Sequence, residues 1–82
     1  MLPTVTLYTR PGCHLCEEAQ ALLQLLAPRY PHRLELVNID EDATLRARYH
    51  LAIPVICIGE VELEAPIEPR TLEATLRAAG QA

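Results

Sequence analysis

Two thiols separated by two residues, Cys13-His14-Leu15-Cys16, are the part of this 82-residue chain best equipped for chemistry. An apolar, β-prone run from Val5 to Tyr8 ends at Pro11-Gly12, and the cysteines then open a helix-periodic stretch. Two cysteines three positions apart at a helix start can close a small disulfide ring. The first stands where unpaired backbone N–H groups and the positive end of the helix dipole favour an anion. A thiolate is such an anion. Cys13 is therefore the candidate low-pKa nucleophile, and Cys16, one turn along and more enclosed, the thiol that resolves its mixed disulfide. A lone C-x-x-C also occurs in zinc sites, but those bring a second cysteine or histidine pair at ligand spacing. The chain has none, and no metal site is expected.

The rest of the chain must hold that loop in place. Thr4 to Tyr8 reads as a short buried strand. Leu15, Ala19, Leu22, Leu23 and Leu26 then fall on one face of a helix that ends before Pro28. Arg33 to Ile39 is a second strand, and strand, helix and strand make a right-handed βαβ unit with parallel strands. Asp40-Glu41-Asp42 offers N-cap candidates for a short helix running to about His50, with Leu45 and Tyr49 on its buried face and Arg46 and Arg48 in water. Ala52 to Ile58 is a third strand with Pro54 at its start, where a missing donor is tolerable. Gly59-Glu60 is a type II′ hairpin signal. Val61 to Ala65 alternates, and its carboxylates suit an edge strand. Pro69 opens a final helix carrying Leu72, Leu76 and Ala79, with Gly80 as its stop. The order is β-α-β-α-β-β-α: one α/β domain over residues 1–82, with a four-stranded mixed sheet flanked by helices.

Composition narrows the function. Half the residues are hydrophobic, yet there is no Phe or Trp, so the core is built from Leu, Ile, Val and Ala with help from Tyr8, Tyr30 and Tyr49. Net charge is −4, and no stretch clusters enough Arg to follow a phosphate backbone, which argues against nucleic acid. Met1-Leu2-Pro3-Thr4 has neither a basic region nor an apolar signal core, and no run approaches bilayer length. The chain is expected to be cytoplasmic and monomeric, away from membranes. In that compartment three cysteines are not a structural framework, and a C-x-x-C rests reduced and cycles in use. Cys57, inside an Ile-rich strand, reads as a small buried hydrophobe.

The element order, the C-x-x-C after the first strand and the Ile53-Pro54 step together resemble the thioredoxin fold. Within it, Tyr8-Thr9-Arg10-Pro11-Gly12-Cys13-His14-Leu15-Cys16 and Ala52-Ile53-Pro54-Val55 resemble the glutaredoxins, and more closely the small bacterial glutaredoxin-like proteins with a C-x-L-C motif. The resemblance implies a dithiol thiol–disulfide oxidoreductase that maintains cell redox balance, acting on protein or low-molecular-weight disulfides and regenerated by glutathione or a reductase. No tightly bound cofactor is implied, glutathione serving as reductant. It implies that Pro54 is cis and packs beside the thiols, and that Ile53 offers its backbone to the incoming cysteine, a short β-augmentation. Arg10 matches a basic residue that can pair with a substrate carboxylate. His14, when protonated, favours the thiolate.

The chain departs from the family in places. Leu7 and Gly12 stand where thioredoxins carry a buried Asp and a Trp. Pro66-Ile67-Glu68-Pro69-Arg70 replaces the Gly-Gly segment with which glutaredoxins hold glutathione. Two other readings stay open: an iron–sulfur or metal-holding module, and a non-catalytic binding domain that uses the Glu60, Glu62 and Glu64 stripe.

Overall fold

The structure is a computed structural model that describes residues 2–81; Met1, part of the N-terminal segment discussed above, lies outside them. Four strands, β1 (Thr4–Thr9), β2 (Arg33–Asn38), β3 (Val55–Ile58) and β4 (Val61–Glu64), form one sheet in the order β2-β1-β3-β4. β1 pairs parallel to β2 and antiparallel to β3, and β3 pairs antiparallel to β4. The helices are α1 (His14–Leu26), α2 (Ala43–Tyr49) and α3 (Pro69–Gly80), with a 3-10 turn at Ile39–Glu41 before α2. The expected fold class is the one observed, and β4 is an edge strand as its charge pattern required.

Strand register decides which face each residue serves. Val5 pairs with Ile58 and Leu7 with Ile56, and all four join Ala19 and Leu23 of α1 and Leu72 and Leu76 of α3 in the main core. The alternate residues point the other way. Val55, Tyr49 of α2 and Ile39 form a second, smaller cluster, against which Tyr8, Ile53 and Cys57 are partly packed. The result is three layers, with α1 and α3 on one face and the two-turn α2 on the other.

Turn chemistry closes these elements. Asp42 caps α2 by accepting from the Thr44 and Leu45 amides at 2.9 and 3.2 Å. In the β3–β4 hairpin only Gly59 takes positive φ (+59°), as a type II′ turn requires of its first position. The last helix departs from expectation, because Gly80 lies inside α3 and Gln81 caps it in right-handed geometry. Gly80 is thus not the left-handed stop that its residue type suggested.

Candidate redox site

β1 delivers the chain to the site and a tight turn redirects it. The Cys13 amide donates to the Arg10 carbonyl at 3.3 Å, across Pro11 and a Gly12 with φ of +79°. A Cβ at Gly12 would meet nothing within 4 Å, so glycine is needed there for its backbone conformation, not for space. Cys13 then takes extended geometry as the N-cap of α1, and its Sγ accepts from the Cys16 amide at 3.2 Å. The sulfur occupies the place a Ser or Asp oxygen fills in an ordinary cap.

Cys13 and Cys16 are joined as a disulfide, their Cα atoms 5.2 Å apart. Cys13 is half-buried, whereas Cys16 is 2 % exposed and faces the sheet. The pair is therefore asymmetric: one sulfur is accessible and the other is covered by the fold. Pro54 is fully buried, and the Ile53–Pro54 peptide is cis. Ile53 is half-buried against the smaller cluster. Its amide already donates to the Tyr49 carbonyl at 3.1 Å, so half of the backbone pair assigned to an incoming cysteine is engaged within the chain.

The neighbouring charges differ from the sequence expectation in one respect. The Arg10 guanidinium binds the Asp40 carboxylate through two nitrogens, so the acid it meets is supplied by the 3-10 turn after β2. His14 is exposed, its Nε2 3.8 Å from Glu18 one turn along the same helix face. Two expectations fail. Leu15 does not lie on the buried face of α1 but is 57 % exposed; the face turned to the sheet runs through Cys16, Ala19 and Leu23. Cys57 is not a plain core residue. It is half-buried, and its Sγ lies 3.8 Å from Glu62 on the neighbouring strand. Burial first, then that carboxylate, push the Cys57 thiol up, away from the thiolate form.

Glu62, in sequence one of the edge-strand carboxylates, organises a cluster that no local pattern announces. It accepts from the Tyr49 hydroxyl at 3.0 Å, and the Tyr49 ring stacks on Tyr8 with centroids 4.6 Å apart. Burial, followed by the bond to Glu62, pushes the Tyr49 hydroxyl from 10.0 up to about 12. A phenol that stays protonated in the fold while the unfolded chain ionises leaves stability intact below about pH 10 and erodes it between about 10 and about 12. Tyr49→Phe keeps the stacked ring and removes this titration. Its urea midpoint is expected to fall less than the parent's on going from about pH 8 to about pH 11. A decline equal to the parent's would mean that Tyr49 takes no part in the alkaline loss.

Among the described residues, no three His, Cys, Asp or Glu side chains converge as a metal-holding group, and no helix is long and apolar enough to cross a membrane.

Known structures share this fold. A structural-genomics target protein from X. campestris is 36% identical, with 90% of this chain and 96% of that one covered at a TM-score of 0.78. A protein from Nitrosomonas europaea, solved by NMR, is 31% identical over 90% and 91% of the two chains, also at 0.78. Thioredoxin O2 from Arabidopsis thaliana in its oxidised state is similar in fold, at 22% identity and a TM-score of 0.71 over 94% of this chain and 74% of that one. The family of the glutaredoxin-like domain (DUF836) is matched over residues 4–79, nearly the full length. With a Cys13–Cys16 pair at the head of the first helix of a thioredoxin fold, the chain belongs to the glutaredoxin-like family.

Proposed function

We propose that the chain is a dithiol thiol–disulfide oxidoreductase of glutaredoxin type, in the cytoplasm, with Cys13 as nucleophile and Cys16 as resolving thiol. The observation that carries this reading is the capping bond from the Cys16 amide to the Cys13 sulfur. In the reduced protein the same N–H and the dipole of α1 act on a sulfur that can become anionic, and both favour the thiolate. His14 is a secondary contributor, because its exposed charge is screened by water.

The steps balance. The Cys13 thiolate attacks one sulfur of the substrate disulfide, forming a mixed disulfide and expelling the other sulfur as a thiolate. The Cys16 thiol, losing its proton, then attacks the Cys13 sulfur and releases the second substrate thiol. Two electrons pass from the cysteine pair to the substrate, and the Cys13–Cys16 bond closes. Glutathione or a reductase supplies the two electrons that reopen it. In this reading the substrate packs beside the cis Ile53–Pro54 step, and the Ile53 carbonyl is the backbone group offered to an incoming chain. Arg10 acts mainly by tying the redox loop to Asp40.

Titration of the reduced protein by thiolate absorbance tests the proposal. One transition is expected at least about one unit below the ~8.5 of free cysteine. If the lowest thiol transition lies at or above ~8.5, no activated nucleophile exists and the reading fails.

A further inference from the structure

Between the start of α1 and the segment before α3 the surface opens into a groove of about 310 Å³ whose walls include Leu15, Leu22, Pro54, Pro66 and Ile67. Leu15 stands between the two cysteines in sequence, so one wall of the groove belongs to the redox segment, although neither sulfur lines it. A larger depression, about 1020 Å³, lies at the other end of the sheet around Thr4 and Gly59, and neither Leu15 nor Pro54 lines it. Of the two, the smaller groove is the one walled by Leu15 of the redox segment and by Pro54.

Its charges are all of one sign. Glu18 is the charged residue among those lining it, and Glu64 and Glu68 share the adjoining wall with Pro66 and Ile67. Arg10, the cation of the redox loop, is committed to Asp40. The start of α3 borders the groove through Pro69, and it is ill suited to an anion. Glu68 is its N-cap and makes no side-chain capping bond, while Pro69 at the first turn has no N–H to give. With the Ile53 amide bonded to Tyr49, selection among substrates falls to side chains more than to the backbone.

We propose, on the basis of the oxidoreductase reading above, that the preferred substrate is a polypeptide disulfide whose cysteine is flanked by one large apolar and one cationic residue. The apolar side chain seats against Leu15 and Ile67, and the cation meets Glu18 and Glu68. Glutathione disulfides, with two carboxylates to one ammonium on each half and no apolar side chain, are poor substrates.

Four probes, each a cysteine capped with thionitrobenzoate, test this on the reduced Cys16→Ser protein. Three are peptides of equal length carrying Leu and Arg, Leu and Glu, or Ser and Arg beside the cysteine; the fourth is glutathione. The Cys13 thiolate attacks the probe sulfur, the Cys13–probe bond forms, and the thionitrobenzoate anion leaves with an absorbance that reports the rate. The Leu/Arg peptide is expected to react fastest, with Ser for Leu slowing it about tenfold and glutathione slower still. High salt is expected to shrink the Arg/Glu difference and spare the Leu/Ser difference. Leu15→Ser is expected to shrink the Leu/Ser difference.

Fast but equal rates, a fastest reaction with glutathione, or a Leu preference untouched by both Leu15→Ser and Ile67→Ser would overturn the proposal and leave the oxidoreductase reading standing. Uniform reaction at the rate of free cysteine would remove both.

Discussion

Cys16→Ser is expected to halt turnover at a mixed disulfide, and Cys13→Ser to prevent reaction with disulfides from the outset. The asymmetry of the pair sets this order. Cys13 is half-buried at the end of the redox loop, whereas Cys16 is 2 % exposed and sits under the first turn of α1. A substrate sulfur can approach the first, but only Cys13 is in position to reach the second. In each variant, steady-state reduction of a disulfide should fall at least ~10³-fold, equivalent to about 4 kcal/mol of barrier. Mass spectrometry separates the two, with a substrate adduct at Cys13 in Cys16→Ser and none in Cys13→Ser. Serine is itself a favoured N-cap, so Cys13→Ser keeps the helix start and loses only the chemistry. Retained turnover in Cys13→Ser would dispose of the assigned nucleophile.

The largest effect on stability is expected at Leu72. This side chain is fully buried between α3 and the sheet, in the cluster that also holds Leu7, Leu23 and Ile56. Leu72→Ala leaves a cavity that backbone-anchored neighbours only partly fill, at a cost of about 2–5 kcal/mol. A domain of 82 residues has about 4–12 kcal/mol to lose. The urea midpoint should therefore drop by a large fraction with little change in slope. Leu25 provides the contrast, being 75 % exposed on the outer side of α1, and its replacement by Ala should shift stability by no more than ~0.5 kcal/mol. Equal losses at the two positions would contradict the assigned core.

Element order was legible because each element carries its own period and its own punctuation. Pro11-Gly12, Asp42, Gly59-Glu60 and Pro69 mark boundaries that the structure keeps, and the alternation of Val61 to Ala65 located an edge. The redox pair was legible too, since strand, breaker and thiols are adjacent in sequence. Leu15 was misplaced because two apolar stripes compete on α1. When Cys16 is counted as an apolar residue, the buried stripe runs Cys16, Ala19, Leu23 and leaves Leu15 outside. Cys57 was misplaced because an apolar run implies cover on both faces, and α2 is too short to cover its side fully. The Arg10–Asp40 pair spans 30 residues, and Tyr49 meets Glu62 across the top of the sheet. Local periodicity carries no information about such encounters, which arise only when strands align.

The uneven clothing of the sheet has a consequence for motion. One face holds eight buried side chains from four elements, the other only three. Opening free energies within a domain follow local burial. The two-turn helix can thus lift Tyr49 off Tyr8 and resettle as a subglobal fluctuation, while the platform beneath the sulfurs keeps its shape.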